Sequence, residues 1–302
     1  MSNVQIISPA PRPRLPEWVR SGTTDYRALH DLKVQLRERK LHTVCESARC
    51  PNIHECFSRK AATFMILGNV CTRRCGFCAV PQAQPGELDA AEPGHVAEMA
   101  ARMELRYVVI TSVNRDDLPD GGSRHFAETV RQVRSTLPQA RIEVLTPDFC
   151  GDLTAVARVL DAGPDVFNHN METVARLYRR VRPQANYRQS LQVLAFARRH
   201  APAALTKSGL MVGLGERPEE VQELLRDLRQ AGADVATIGQ YLQPARHRLP
   251  VEEFVRSETF GEYRLYGERL GFRAVFSGSL VRSSYMADRV EEAAALHTPS
   301  AS

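Results

Sequence analysis

No run of apolar residues in this 302-residue chain approaches the roughly 20 needed to cross a bilayer, so a membrane-spanning role is set aside. No secretory leader is expected either. The opening, with Pro9, Pro11, Pro13 and Pro16, is too rich in proline for an amphipathic targeting helix and reads as a flexible lead-in. Cysteine is absent from most of the length, Cys150 being the only one of seven outside residues 45–78. Acid is absent from residues 174–200, which hold seven arginines (Arg176, Arg179, Arg180, Arg182, Arg188, Arg198, Arg199) and no Asp or Glu. Such a stretch is either a docking face for an acidic partner or a solvated helix surface. The net charge of +5 is otherwise concentrated in residues 1–40, where eight Lys/Arg face four acids. With 43% hydrophobic and 25% charged residues, the chain has an ordinary globular composition and is expected to form one domain elaborated at its ends.

The remaining six cysteines form two triplets, Cys45-x4-Cys50-x5-Cys56 and Cys71-x3-Cys75-x2-Cys78. Disulfides rank low, because a chain of this length has enough material for a core without them. A closed zinc site takes four ligands and a plain ferredoxin cluster takes four thiolates. Two separate threes therefore suggest iron–sulfur cubes, each with one iron left for another ligand. The spacings allow it, since a few residues at up to roughly 3.5 Å each reach around an object of that size. For the first triplet a zinc site is the alternative, with His42 or His54 as the fourth ligand. Cys150 belongs to neither triplet and reads as a buried, inert thiol.

After a helical stretch near residues 24–40, short apolar runs recur at 63–67, 107–111, 142–145, 165–167, 209–212, 235–238 and 273–276. Segments 96–103, 126–137, 153–160, 187–199 and 219–230 between them have helical length and period. Repeated βα units predict a parallel sheet with right-handed crossovers, an α/β partial (β/α)6 barrel of the TIM type. Polar or glycine-rich sequence follows each run: Gly68-Asn69 and the second triplet, the segment from Thr111 and Ser112 to Asp117, Thr146-Pro147-Asp148, residues 168–173, Gly213-Leu214-Gly215-Glu216, and Gly239-Gln240-Tyr241. Barrel-like sheets build their sites from those strand-to-helix loops, which puts the second triplet at the mouth. The expected division is an N-terminal extension (1–60), the partial barrel (61–276) and a C-terminal extension (277–302).

Cys71-x3-Cys75-x-Phe77-Cys78 after the first strand resembles the signature of the radical S-adenosylmethionine (SAM) superfamily. The chain as a whole is similar to the lipoyl synthase family within it, over roughly residues 16–288. The resemblance rests on residues 41–56, on Phe64-Met65-Ile66-Leu67-Gly68-Asn69-Val70-Cys71-Thr72-Arg73-Arg74-Cys75, and on Asn168-His169-Asn170-Met171-Glu172-Thr173. Gly239-Gln240-Tyr241-Leu242-Gln243-Pro244 and Arg282-Ser283-Ser284-Tyr285 complete it. Phe57 stands where the family pattern has tryptophan, a departure that leaves the ligands untouched.

That resemblance implies a [4Fe–4S] cluster on Cys71, Cys75 and Cys78 whose open iron binds SAM, and a second, auxiliary [4Fe–4S] cluster on Cys45, Cys50 and Cys56. The fourth ligand of the auxiliary cluster is a serine of the C-terminal motif, assigned to Ser284 over Ser283, with a helix N-cap as the bland alternative for both. Contacts to the cofactor are expected from Phe77, Thr111, Ser112, Asn168, Asn170, Glu172, Lys207 and Glu216. Capping of the following helix is the competing role for Asn168, Asn170 and Glu172. The implied reaction inserts sulfur at carbons six and eight of a protein-bound octanoyl-lysine, with the auxiliary cluster as sulfur donor and a 5′-deoxyadenosyl radical removing the hydrogens. The implied partners are octanoylated lipoyl-carrier domains (2-oxoacid dehydrogenase acyltransferase subunits, the glycine cleavage H protein), an electron donor such as ferredoxin or flavodoxin, and an iron–sulfur carrier for cluster repair. Neither nucleic acid nor membrane is expected as a partner, and the expected location is the cytoplasm. The competing readings are another two-cluster radical enzyme, such as a methylthiotransferase, and a non-catalytic electron carrier.

Overall fold

The computed structural model describes residues 34–39, 41–47 and 61–284, together with Pro16 and Asn52. Strands β1 (His42–Thr43), β2 (Ala61–Ile66), β3 (Tyr107–Ser112), β4 (Arg141–Leu145), β5 (Val166–Asn168), β6 (Leu205–Val212), β7 (Val235–Gln240) and β8 (Ala274–Gly278) lie side by side in chain order. Strands β2 to β8 are all parallel, and β1 runs antiparallel on the outer edge of β2. A helix occupies each of the six crossovers: α1 (Glu92–Arg102), α2 (Ser123–Thr136), α3 (Leu153–Leu160), α4 (Tyr187–His200), α5 (Pro218–Gln230) and α6 (Ser257–Arg269). This is the expected six-unit partial barrel, open because among the described residues β8 pairs with β7 alone.

Local sequence explains where the helices start. Asp152 and Asn186 cap α3 and α4 by accepting the N–H groups of Thr154 (2.8 Å) and Gln189 (3.1 Å). Pro218 opens α5, with Glu219 and Glu220 in its first turn.

Alternation along the strands divides the core in two. Phe64, Ile66, Val108, Ile110, Ile142, Val144 and Phe167 face outward and pack with Val96 and Met99 of α1, Phe126 and Val130 of α2, and Val156 of α3. Each such side chain contributes roughly 1.5–3 kcal/mol on burial. The inward set is more polar. It includes Tyr107, Glu143, Asn168, Lys207 and Thr237, all buried, and Gly209 and Gly239. Buried polar residues inside a barrel either satisfy one another or face a site, and both occur here.

Of the helical stretch expected near residues 24–40, residues 34–38 are helical and the rest lies outside the described residues. No helix among the described residues is long and apolar enough to cross a membrane.

Candidate active site

The chain leaves β2 through two left-handed residues, Leu67 (φ 68°) and Gly68 (φ 87°), and enters the loop that carries Cys71, Cys75 and Cys78. The Leu67 N–H donates to Glu92 Oε2 at 2.7 Å, which ties the exit of β2 to the start of α1. The loop is then stitched to four neighbours. Thr72 N–H donates to the Asn114 carbonyl (3.1 Å) after β3, and Gly76 N–H to the Val181 carbonyl (2.8 Å) after β5. The Gly76 carbonyl accepts from Leu249 N–H (3.0 Å) after β7. Gly76 must lack a side chain: a Cβ there would lie 2.7 Å from Leu249 Cδ1 and 3.1 Å from the Arg180 carbonyl. Arg73 forks onto Asp116 (2.7 and 2.9 Å) and reaches Asp148 (2.6 Å) after β4. The loops after β2, β3, β4, β5 and β7 therefore share one hydrogen-bonded frame at the barrel mouth.

All three thiols of this loop are free and half-buried. Cys71 Sγ accepts the backbone N–H groups of Asn114 (3.3 Å) and Arg73 (3.5 Å) and faces Asn114 Nδ2 at 3.8 Å, an arrangement suited to negative charge on sulfur. Burial pushes the Cys75 thiol up to about 12, against the opposing pull of Arg182. It also raises Cys78, whose neighbour Cys71 adds to the shift. Thiols raised in this way become thiolates when a strongly positive centre binds the sulfur and the proton leaves to solvent.

Across the mouth, the free oxygens are conspicuous. Asn168 Oδ1, Asn170 Oδ1, Ser112 Oγ and Asn114 Oδ1 are each buried without a hydrogen-bond partner. Such atoms cost about 1–3 kcal/mol each unless a ligand meets them. Asn170 Nδ2 donates to Glu172 Oε1 (3.0 Å), and Glu172 itself sits at φ 66°. Burial raises the Glu172 carboxyl, with Arg182 opposing. None of Asn168, Asn170 and Glu172 caps a helix: the turn Ala175–Leu177 starts at Val174 without a side-chain cap, and α4 is capped by Asn186.

Three expected contacts have their polar groups already engaged. Thr111 Oγ1 donates to the Leu145 carbonyl at 2.8 Å. Lys207 is wholly buried, its Nζ 3.0 and 2.9 Å from the two oxygens of Glu143, which also accepts from Tyr107 Oη (2.8 Å) and Asn168 Nδ2 (2.9 Å). Glu216 closes its glycine-rich turn by accepting from the N–H groups of Gly213 and Leu214. Phe77 is half-buried and packs, as Met211 and Leu249 do, against the apolar cluster that contains Tyr241.

Cys150 corrects the sequence expectation. It is exposed, at φ 54° in the turn Phe149–Gly151, and hydrogen bonds to Asp116 and Arg73 at 3.4 Å each. Phe149 takes the buried position instead. The arginine stretch is likewise not one face. Arg182 is buried on the carbonyls of Asn170 and Met171, and Arg176, Arg180 and Arg198 pair with Glu220, Glu252 and Asp234. Arg179, Arg188 and Arg199 are exposed.

Of the first triplet, Cys45 lies in the helical turn Val44–Ser47, which follows β1 directly; Cys50 and Cys56 lie outside the described residues, as do His54 and Tyr285. Thr43 opens that turn by accepting the Glu46 N–H (3.3 Å). Asn52, from between Cys50 and Cys56 in the sequence, donates its amide to the Leu280 carbonyl at 2.6 Å. Four residues beyond Leu280 comes Ser284, half-buried, while Ser283 Oγ accepts from Asn170 Nδ2 at 2.6 Å. Asn52 belongs to the run 41–56 that carries the resemblance, but no role for it is legible from the sequence.

A family model of the radical SAM superfamily matches residues 65–228, more than half of the chain, and one of the N-terminal domain of lipoyl synthase of that family matches residues 3–50. The fold is shared with the crystal structure of methylornithine synthase (TM-score 0.52, 18% identity, covering 69% of this chain and 61% of that one). It is shared too with Streptococcus suis SuiB bound to S-adenosylmethionine (TM-score 0.53, 10% identity, 79% of this chain and 52% of that one). Fold and cysteine loop together define a radical SAM enzyme. Closer relatives narrow the class. The lipoyl synthase of Rubrobacter xylanophilus is 53% identical, covering 92% of this chain and 86% of its own length. That of Thiobacillus denitrificans is 53% identical, covering 96% and 93%, and that of Thermus thermophilus 53%, covering 91% and 86%. The chain belongs to the lipoyl synthase family.

The superfamily implies a [4Fe–4S] cluster and SAM, and the residues present fit both. Among the described residues, no three His, Cys, Asp or Glu side chains converge as one metal ion requires. Cys71, Cys75 and Cys78 lie half-buried on one loop and offer the three thiolates such a [4Fe–4S] cluster takes, Cys71 Sγ already accepting two backbone N–H groups. The orphaned oxygens of Ser112, Asn168 and Asn170 suit a ligand rich in hydroxyl and ammonium donors.

Proposed function

We propose that this chain inserts two sulfur atoms, at carbons six and eight, into an octanoyl group carried on a lysine of a lipoyl domain, giving lipoyl-lysine. Cys71, Cys75 and Cys78 hold the cluster that meets SAM. When bound, that pair supplies the one-electron chemistry needed to break an unactivated C–H bond. The chain's own part is placement and exclusion. Phe77, Met211, Tyr241 and Leu249 form a dry wall, and Ser112, Asn168, Asn170 and Glu172 bind the polar parts of the cofactor. Lys207 holds Glu143, which in turn holds the amide nitrogen of Asn168, so that the free Asn168 oxygen faces the ligand.

Cys45, Cys50 and Cys56, with Ser284 as fourth ligand, would hold a second [4Fe–4S] cluster that would supply the sulfur. The observation that carries this reading is the bond from Asn52 to the Leu280 carbonyl. It joins the cysteine-bearing N-terminal extension (1–60) to the start of the C-terminal extension (277–302) beside the barrel (61–276). As an oxygen ligand, Ser284 would bind iron more weakly than a thiolate does, which suits a site that would have to give up sulfur. The substrates are octanoylated acyltransferase subunits of 2-oxoacid dehydrogenases and the glycine cleavage H protein in the cytoplasm. A ferredoxin or flavodoxin supplies electrons, and an iron–sulfur carrier rebuilds the second cluster.

The test is anaerobic reconstitution with isotopically heavy sulfide, followed by reaction with an octanoylated lipoyl-domain peptide in light, sulfide-free buffer. The reading expects about eight irons per chain, as two such clusters require, and lipoyl product carrying two heavy sulfurs. Product with light sulfur, or repeated turnover without added sulfide or carrier, refutes it.

A further inference from the structure

Beyond β8 the chain turns at Gly278, where Val281 N–H donates back to the Gly278 carbonyl (3.1 Å), and residues 279–284 cross the inner face of β7 and β6 as a strap. Two inward-facing glycines lie beneath it. A Cβ on Gly239 of β7 would overlap the Val281 carbonyl oxygen and approach Arg282 Nη1 to 3.2 Å. A Cβ on Gly209 of β6 would lie 2.5 Å from Thr237 Oγ1, 2.8 Å from Asn170 Oδ1 and 2.9 Å from Ser283 Oγ. Neither glycine has positive φ, so conformation does not require glycine at either position. Space does. Gly278, which pairs with Gly239 in the sheet, gives the contrast: its Cβ would touch only Val281 Cγ2, at an ordinary 3.5 Å.

We infer that Gly209 and Gly239 are positioning residues that form the seat of the strap and thereby set where Ser283 and Ser284 stand. Asn170, 92% buried, latches the far end by donating to Ser283 Oγ at 2.6 Å. Asn52 holds the near end at Leu280. The inference rests on the reading that Ser284 serves the first triplet's cluster only for its catalytic consequence; the seat itself is a property of the chain. Without Cβ-free strands there, the strap would ride higher, out of reach of Asn170, and the serines would be displaced from the mouth.

The test is hydrogen–deuterium exchange on the full-length, anaerobically reconstituted chain, comparing G239A, G209A and G278A with the unchanged sequence. In G239A and G209A, peptides covering 279–284 should exchange at least tenfold faster while peptides within β3 to β5 stay unchanged; in G278A the strap should stay protected. Should G239A fail to fold by circular dichroism, G209A decides. Strap exchange at the unchanged rate in whichever of the two folds, or equal acceleration in G278A, overturns the seat. Iron analysis of S284A separates the two ideas: full iron there, with a loosened strap in G239A, leaves the seat standing and removes the serine from the cluster.

Discussion

Asp148 Oδ1 lies 2.6 Å from Arg73 Nη2, and both side chains are buried, so a residue of the cysteine loop is held by the loop after β4. Burial alone would raise the Asp148 carboxyl, but the hydrogen bond and charge of Arg73 bring it down to about 2. Replacing Arg73 with Met strands that carboxylate. The expected cost is about 3–5 kcal/mol, as for breaking other buried pairs, seen as a lower urea midpoint and a loss of iron from the Cys71/Cys75/Cys78 loop. An unchanged midpoint would mean that the frame does not depend on this pair.

Lys207 and Glu143 invite a double-mutant test. Lys207→Met leaves Glu143 without its ion-pair partner in the barrel interior and should destabilise by a similar ~3–5 kcal/mol. Lys207→Met with Glu143→Leu should recover most of that loss in a denaturation experiment, yet bind SAM more weakly, because Asn168 then loses the acceptor that orients its amide.

His169 supplies a pH dependence. It is wholly enclosed: Nδ1–H donates to the Thr146 carbonyl (2.9 Å), and in the neutral ring Nε2 therefore accepts from Ser190 Oγ (3.0 Å). Burial, with Arg182 and Arg73 adding and Asp148 opposing, lowers it to about 4. The unfolded chain takes up this proton near pH 6.5 and the folded chain only near pH 4. Stability from this group is therefore full above about pH 6.5 and is lost as the pH falls to about 4, by on the order of 3 kcal/mol. Denaturation midpoints across that window should fall in the native chain and fall less in His169→Gln.

Asn114 touches the cluster loop through sulfur. Its side-chain amide faces Cys71 Sγ at 3.8 Å beside its own backbone N–H at 3.3 Å. Hydrogen bonds to a ligating sulfur favour the reduced cluster, so Asn114→Leu should lower the reduction potential of the cluster in a spectroscopic titration. The same potential in both proteins would remove Asn114 from this role.

Seven strands were legible because each apolar run stands between polar or glycine-rich loops, and β2 to β8 follow those runs. Two elements were not. Strand β1 has only two residues, too few for a pattern, and α6 buries just Phe260, Tyr263 and Gly267, too thin a stripe to show. The cysteine loop was legible from spacing, but the groups that hold it were not, since Arg73 meets Asp148 across 75 residues and Lys207 meets Glu143 across 64. Such pairings are set by strand order, which brings distant positions into register. Cys150 was expected to be buried because a free cysteine outside both triplets is most often a core thiol, but the left-handed turn after Asp148 leaves it exposed.

Iron content in cysteine variants tests the two-cluster account most directly. After anaerobic reconstitution, replacing Cys71, Cys75 and Cys78 with Ala should halve the iron and abolish SAM cleavage. Replacing Cys45, Cys50 and Cys56 should halve the iron, leave some SAM cleavage and yield no lipoyl product. Full iron in either triple variant, or lipoyl product from the second, would contradict the assignment of one cluster to each triplet.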